Sequence, residues 1–221
     1  MYSLISATFC VIVLLSNILS VKLIPLPFFD LFIPAGLLTY PITFLLSDYV
    51  TEMFGAKKAR QMVYSALALN VLSYCIVQFV LTLPALDHEN EKAFQEILGL
   101  SGLRIFSSLA AYLAGQIVDI QLYTLIKRTT GERFLWLRNN GSTWVSQGVD
   151  TLVVDLIYLC GGLQLSFALA LPVMLFSYAY KAIFSVICTP FLYLLVFLTK
   201  KFQWIELPLN RNPNSFSSHE V

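Results

Sequence analysis

The sequence predicts an all-α polytopic membrane protein, a bundle of six transmembrane helices with almost nothing outside the bilayer. Three observations predict it. Hydrophobic residues make up 57% of the 221 positions and charged residues only 12%, where soluble domains average roughly half and a quarter. Charges are absent over 1–21, 31–47 and 61–86, and over 156–199 Lys181 stands alone. Crossing the hydrocarbon core takes about 20 mostly apolar residues, and the chain offers six such runs. So few charges cannot cover a soluble surface of this size, and so much hydrophobic content excludes disorder.

The first span covers 2–24 and closes at Pro25 and Pro27. It lacks a basic leader and so reads as a span, not a cleavable signal. The second covers 29–54 with Pro34 and Pro41 inside it, and the third covers 63–83 and stops at Pro84. The most polar stretch follows, from Asp87-His88-Glu89-Asn90-Glu91-Lys92 to Gly102. The fourth span covers 105–126, then a second polar stretch covers 127–140. There Asn140-Gly141 reads as a turn, with Ser142 or Thr143 capping the fifth span over 143–163. The sixth covers 171–198, and Pro172 and Pro190 sit in or beside it. The membrane domain is thus 1–203, and 204–221 is a largely disordered cytoplasmic tail.

Lys and Arg in short loops orient the spans. Lys57, Lys58 and Arg60 follow the second span, Lys127, Arg128, Arg133 and Arg138 follow the fourth, and Lys200-Lys201 follow the sixth. The intervening connections carry only Lys22, Lys92 and Arg104. This alternation predicts a multi-pass inner-membrane protein with both termini cytoplasmic. The net charge of +1 leaves no basic patch for nucleic acid.

Ionisable and polar residues inside spans are costly and mark function. Asp48 and Glu52 are four apart at the end of the second span and share a helix face. They read as a gate or coupling-ion site, or else as an acidic helix end paired with Lys57, Lys58 or Arg60. Gln116 and Asp119 share a face of the fourth span, with Tyr112 and Tyr123 close by, and Gln147 and Asp150 repeat the offset in the fifth. Gln both donates and accepts while an ionised Asp only accepts. Such pairs suit a neutral or cationic polar ligand, such as a heterocycle edge or an amine. The plainer alternative is hydrogen bonding that merely holds helices together. Asp155 lies five beyond Asp150, points elsewhere and suits a structural ion pair. Lys181, the lone base deep in a span, needs a carboxylate partner among Asp48, Asp119, Asp150 and Asp155. Trp144 faces either the interface or a ligand.

Enzyme chemistry finds no support. The two histidines, His88 in a polar loop and His219 in the tail, lie away in sequence from the membrane carboxylate clusters, and no metal-ligand spacing, phosphate loop or dinucleotide fingerprint occurs. No cofactor or metal is expected. Cys10, Cys75, Cys160 and Cys188 have no CxxC spacing and read as small hydrophobes.

Several strings are recognisable together: Thr39-Tyr40-Pro41-Ile42-Thr43-Phe44-Leu45-Leu46-Ser47-Asp48 with Thr51-Glu52 and Gly55, then Gln116-Ile117-Val118-Asp119. Trp136-Leu137-Arg138-Asn139-Asn140-Gly141-Ser142-Thr143, Ser146-Gln147 with Asp150-Thr151, and Tyr180-Lys181 before Thr189-Pro190 complete the set. They resemble the queuosine precursor transporter family of vitamin uptake transporters, over about 16–200. The resemblance implies six helices related in architecture to the substrate-binding subunits of energy-coupling-factor importers. It also implies uptake of a 7-deazaguanine base, either queuine or its cyano- or aminomethyl-deazaguanine precursors. Asp119 or Asp150 would then receive the donor edge of the base, with Gln116, Gln147 and Asn140 orienting it. Asp48, Glu52 and Lys181 would gate or couple. The partners of that reading are the base, membrane lipids, a coupling ion (proton or sodium) and a second copy of the chain. Its rivals are a subunit dependent on a separate ATP-driven module and a non-transporting structural membrane protein.

Overall fold

The structure is a computed structural model that describes residues 1–25, 32–84, 88–99, 102–131, 133–162, 164 and 166–201. The expected tail over 204–221 lies outside the described residues, as do Pro27 and Asp87.

Helix α1 (Tyr2–Leu19) is followed by a short antiparallel pair, β1 (Leu23–Pro25) and β2 (Phe32–Pro34), in the register Leu23↔Pro34, Ile24↔Ile33 and Pro25↔Phe32. The chain then makes one 3-10 turn, Ala35–Leu38. That turn lies hard against α1. A Cβ on Gly36 would collide with the Ser16 carbonyl and the Ser20 hydroxyl, so only glycine permits the approach. Helix α2 (Tyr40–Phe54) starts with Pro41 in its first turn, where the missing N–H costs nothing.

The second expected span, 29–54, is therefore not one helix. Pro34 ends a strand, and α2 has 15 residues, about 22 Å at 1.5 Å per residue. Strand, turn and helix share what one continuous helix was expected to do, because proline and glycine interrupt the helical ladder.

Helix α3 (Ala56–Leu81) starts earlier than expected and takes in Lys57, Lys58 and Arg60. Within the polar stretch after Pro84 the structure has a helix, α4 (His88–Leu98), rich in the good helix formers Glu, Lys, Gln and Ala. Helix α5 (Gly102–Thr130) leads by a tight turn to α6 (Leu135–Asp155), which runs on into a π-helical segment, Leu156–Gly162. Helix α7 (Phe167–Lys201) contains Pro172 and Pro190 without ending at either.

The expected turn at Asn140-Gly141, with Ser142 or Thr143 as cap, is corrected by the structure: all four residues lie inside α6, whose N-cap is Phe134 in the left-handed conformation (φ 58°). Turn propensity loses to tertiary bonding, since the amides of Asn139 and Asn140 both donate to the Thr189 hydroxyl on α7, at 3.1 and 2.8 Å.

α6 packs between α5 and α7, while α2 packs on α1, α3, α5 and α7. An apolar core of Phe9, Val13, Val50, Met62, Ile120 and Leu192 joins α1, α2, α3, α5 and α7. The outward faces of α3 and α7 are just as apolar, with Leu72, Ile76, Phe79, Ile183, Phe191 and Phe197 exposed. Apolar residues outside and polar ones inside are the arrangement a bilayer selects.

Among the described residues four helical stretches are long and apolar enough to cross a membrane: Tyr2–Leu19, Ala56–Leu81, Phe106–Thr130 and Ala170–Lys201. α2 is too short for that criterion and α6 too polar, so the structure supports a polytopic helical bundle rather than a count of six. The start of α1 meets α3 where Tyr2 donates to the Lys58 carbonyl. The end of α7 meets α2 where Thr199 lies 2.7 Å from the Tyr49 hydroxyl. Both ends thus sit on the side that carries Lys57, Lys58, Lys127 and Arg128.

Candidate functional site

The interior is polar along three helix ridges. On α2, Tyr40, Asp48 and Glu52 recur at multiples of four; on α6, Arg138, Ser142, Ser146 and Asp150 do the same; on α5, Tyr112, Gln116, Asp119 and Tyr123 follow at spacings of three and four. Each set lies on one helix face. α2 and α6 run in opposite senses, so Glu52 meets Arg138, Asp48 meets Thr143 and Tyr40 meets Asp150. Three levels result.

At the basic end, Glu52 is bonded at 3.0 Å to Arg138 and at 3.1 Å to Lys127, and it accepts from the Tyr123 hydroxyl. The expected loop cations Lys57, Lys58 and Arg60 are not its partners. Arg138 also donates to the carbonyls of Gly131 and Arg133, at 2.6 and 2.9 Å. It thereby clamps the α5–α6 turn in which Phe134 is held left-handed.

At mid-level, Asp48 and Asp119 lie within hydrogen-bonding reach of each other, and both are fully buried. The Ser146 hydroxyl donates to Asp119 at 3.0 Å and Thr143 reaches Asp48 at 3.5 Å.

At the hairpin end, Lys181 on α7 is bonded to Asp150 at 2.6 Å and to the Thr151 hydroxyl at 3.2 Å. Tyr40 donates to the other Asp150 oxygen at 2.8 Å, and its ring lies 5.2 Å from the Lys181 ammonium. Of the four carboxylates expected for Lys181, the structure selects Asp150. Asp155, at the end of α6, forms no ion pair among the described residues, so the structural pair expected for it is not seen. Gly115 makes this level possible, because a Cβ there would lie 3.1 Å from Asp150 Cβ and 3.3 Å from the Ser146 carbonyl. Small residues let membrane helices approach in this way.

Gln116 and Gln147 lie between these levels. Both are buried, and both Gln116 amide atoms and the Gln147 carbonyl lack a partner among the described residues. Ser47 Oγ, Tyr112 OH, Asp48 Oδ1 and Asp119 Oδ2 share that condition. Buried polar groups are almost always bonded, and each orphan costs about 1–3 kcal/mol. Such a cluster offers donors and acceptors that a water or a polar ligand could bond. Asn140 differs: it donates to Thr189 and to the Trp136 carbonyl and faces the Ser185 hydroxyl at 3.2 Å. Trp144 donates its indole N–H to Ser185 at 3.1 Å and so braces α6 against α7.

A cavity lined by Phe44, Asn139, Thr143, Gln147, Lys181 and Ser185 has a volume of about 10 Å³, room for a single water. On the hairpin side a larger one, about 130 Å³, is lined by Ser20, Gly36, Tyr40, Ser108, Asp150 and Lys181. Lys181 is the wall they share. The structure is thus closed at the orphaned amides and open beyond the Tyr40–Asp150–Lys181 level.

Sequence reasoning placed Asp48, Gln116, Asp119, Gln147, Asp150 and Lys181 inside, and the structure gathers them. It missed Tyr40 as a partner of Asp150 and counted Arg138 as a loop cation, although that side chain is 1% exposed. The four-residue spacing of both within their ridges was the available signal.

The model of the family described as "putative vitamin uptake transporter" matches residues 34–195. A Bacillus subtilis (strain 168) protein named "probable queuosine precursor transporter" is 30% identical over 180 residues, covering 80% of this chain and 77% of its own length. A Haemophilus influenzae protein of the same name is 26% identical over 124 residues, covering 53% of this chain and 48% of its own. No solved structure matches the chain. Three-quarters of the relative's length and the whole polar interior fall within these matches, and the chain belongs to the vitamin uptake transporter family, a family of membrane transporters and not of enzymes.

Proposed function

We propose that the chain imports a 7-deazaguanine precursor of queuosine across the bacterial inner membrane, through a site built by Gln116, Asp119, Gln147 and Asp150. The observation that carries this reading is the pair of buried glutamines, Gln116 with both amide atoms unpartnered and Gln147 with its carbonyl unpartnered, the latter lining the small cavity. The names of both relatives supply the substrate class. The chemistry agrees with it. A guanine-like edge offers a ring N–H and an exocyclic amine, which one carboxylate accepts together, and its carbonyl takes a donor such as a Gln amide. An aminomethyl group would be cationic and would favour a second Asp.

In this reading Asp119 or Asp150 receives the donor edge, and Gln116 and Gln147 orient the ring. Asn140 joins by exchanging its bonds to Thr189 and Ser185. Lys181, with Tyr40, gates the passage from the hairpin-side cavity, and Glu52 holds the basic end shut through Arg138. Six crossings follow if the strand, turn and α2 cross together and α6 crosses with its π-helical extension. The basic end then faces the cytoplasm.

The test is uptake in a precursor-dependent host, and by the purified chain in liposomes, with queuine, the aminomethyl base and guanine compared. Wild-type uptake with loss in Asp119→Asn or Asp150→Asn is expected. Full activity of both variants overturns the site. Uptake in cells but not in liposomes assigns the chain to a complex with an energising module, and no binding in either system overturns the function.

A further inference from the structure

We infer that Asp48 and Asp119 together hold one exchangeable proton, and that this proton is the ion coupled to substrate movement. The inference rests on the transport reading above and adds its energy source.

Charge balance leads there. Glu52 has two cationic partners, Arg138 and Lys127, and Asp150 has one, Lys181. Asp48 and Asp119 have none among the described residues, although both are fully buried. The titratable groups that interact with them are Glu52 on α2 and Tyr123 on α5. The buried cations of the interior, Arg138 on α6 and Lys181 on α7, and the half-buried Lys127 on α5 are each bound to another carboxylate. The buried positions of α1 (Phe9, Val13, Ser16) and α3 (Ala59, Met62, Val63, Ala66, Asn70) carry no charge.

Two carboxylates in contact cannot both ionise in a medium of low dielectric, and an ionised carboxylate only accepts hydrogen bonds. A carboxyl–carboxyl contact therefore needs a proton between its oxygens. The oxygens are identifiable. Ser146 serves Asp119 Oδ1 and Thr143 serves Asp48 Oδ2, while Asp48 Oδ1 and Asp119 Oδ2 are left without a donor. An O–H bond at one of these oxygens supplies a donor that the pair otherwise lacks. Uptake and release of that proton forms and breaks this bond alone, and moves one positive charge.

The link to substrate is Gln116, one turn before Asp119 on the same face of α5 and unpartnered at both amide atoms. A base that bonds to Gln116 and Asp119 competes for the oxygen that holds the proton. Glu52 and Lys181, whose charges are already balanced, lack that property.

Two measurements decide it. Infrared spectra of the purified protein in lipid nanodiscs at neutral pH should show a carboxylic-acid carbonyl band that is missing from the D48N/D119N double variant. Superimposable spectra overturn the inference without any reference to substrate. In proteoliposomes, the aminomethyl-deazaguanine base is offered in counterflow without a gradient, then under an inward proton gradient and under an inward sodium gradient. Accumulation driven by protons alone is expected, and in Asp48→Asn the ratio of gradient-driven uptake to counterflow should fall at least tenfold. Counterflow with no response to the proton gradient, or with a response to sodium, overturns the coupling while leaving the transport reading intact. Absent counterflow in the wild type overturns both, and the infrared result still reports whether the pair holds a proton.

Discussion

Arg138 and Glu52 are 86 positions apart and their side chains meet at 3.0 Å inside the bundle. Neither is more than 3% exposed. Through this contact α2, α6 and the α5–α6 turn are fastened at one point. Removing one partner of a buried pair leaves the other charge uncompensated and costs about 3–5 kcal/mol. Arg138→Met and Glu52→Gln should each lower the unfolding temperature in detergent severely. The double variant should recover much of the loss, because no fully buried charge is left alone and Lys127, 29% exposed, can be hydrated. Lys127→Met should cost less, since that side chain is 29% exposed. Equal losses for Arg138→Met and Lys127→Met would contradict the assignment.

The Lys181–Asp150 pair predicts a different pattern. Lys181→Met strands Asp150 and should abolish uptake together with stability. Lys181→Met combined with Asp150→Asn should fold again while uptake stays lost. Tyr40→Phe removes one hydroxyl donor to Asp150 and should cost about 1–2 kcal/mol, the range of interhelical bonds in membranes. Thermal unfolding and uptake, measured on the same preparations, separate these outcomes.

Gln116 should show opposite effects on stability and function. Its amide is fully buried and unpartnered, so Gln116→Met removes an orphan and should raise stability by about 1–3 kcal/mol. The same change should reduce uptake at least tenfold. A destabilised Gln116→Met protein would mean that the amide already has a structural partner.

Gly115 tests the approach of α5 to α6. Gly115→Ala places a Cβ 3.1 Å from Asp150 Cβ and should cost about 1–3 kcal/mol as overpacking. Gly148→Ala is the control, because its Cβ would meet Tyr178 Cε2 at 3.6 Å, an ordinary contact. If both variants unfold at the same temperature, the close approach is not needed.

What could be read from the sequence followed from solvent. Long runs with few or no charges revealed α1, α3, α5 and α7, because lipid on their outer faces forces apolar residues there. The carboxylates were legible for the same reason, since an ionisable group in such a run needs a justification. α2 was misjudged in length because Pro34, Gly36 and Pro41 shape a strand and a turn that an apolar run conceals. α6 was misjudged in start because Arg138, Asn139 and Asn140 look like a loop until their partners on α2 and α7 are known. Glu52 was given the nearest cations in sequence, whereas the fold supplies Arg138 and Lys127. Pairings across 110 positions, such as Tyr40 with Asp150, are set by tertiary geometry that local spacing does not encode.

The polar middle of α6 also bears on how the chain is made. A charged residue at the centre of an inserting helix costs about 2.5–3.5 kcal/mol, and α6 carries Arg138, Asp150 and Asp155. Leaving the ribosomal exit alone, it would not partition into lipid. Lys181, which neutralises Asp150, lies on α7 and is synthesised later. Glu52, which neutralises Arg138, lies on α2 and is already in place. On the reading in which α6 crosses the bilayer, Asp150 stays unneutralised until α7 has been made. The charges that build the interior then also tie the entry of α6 into the membrane to that of α7.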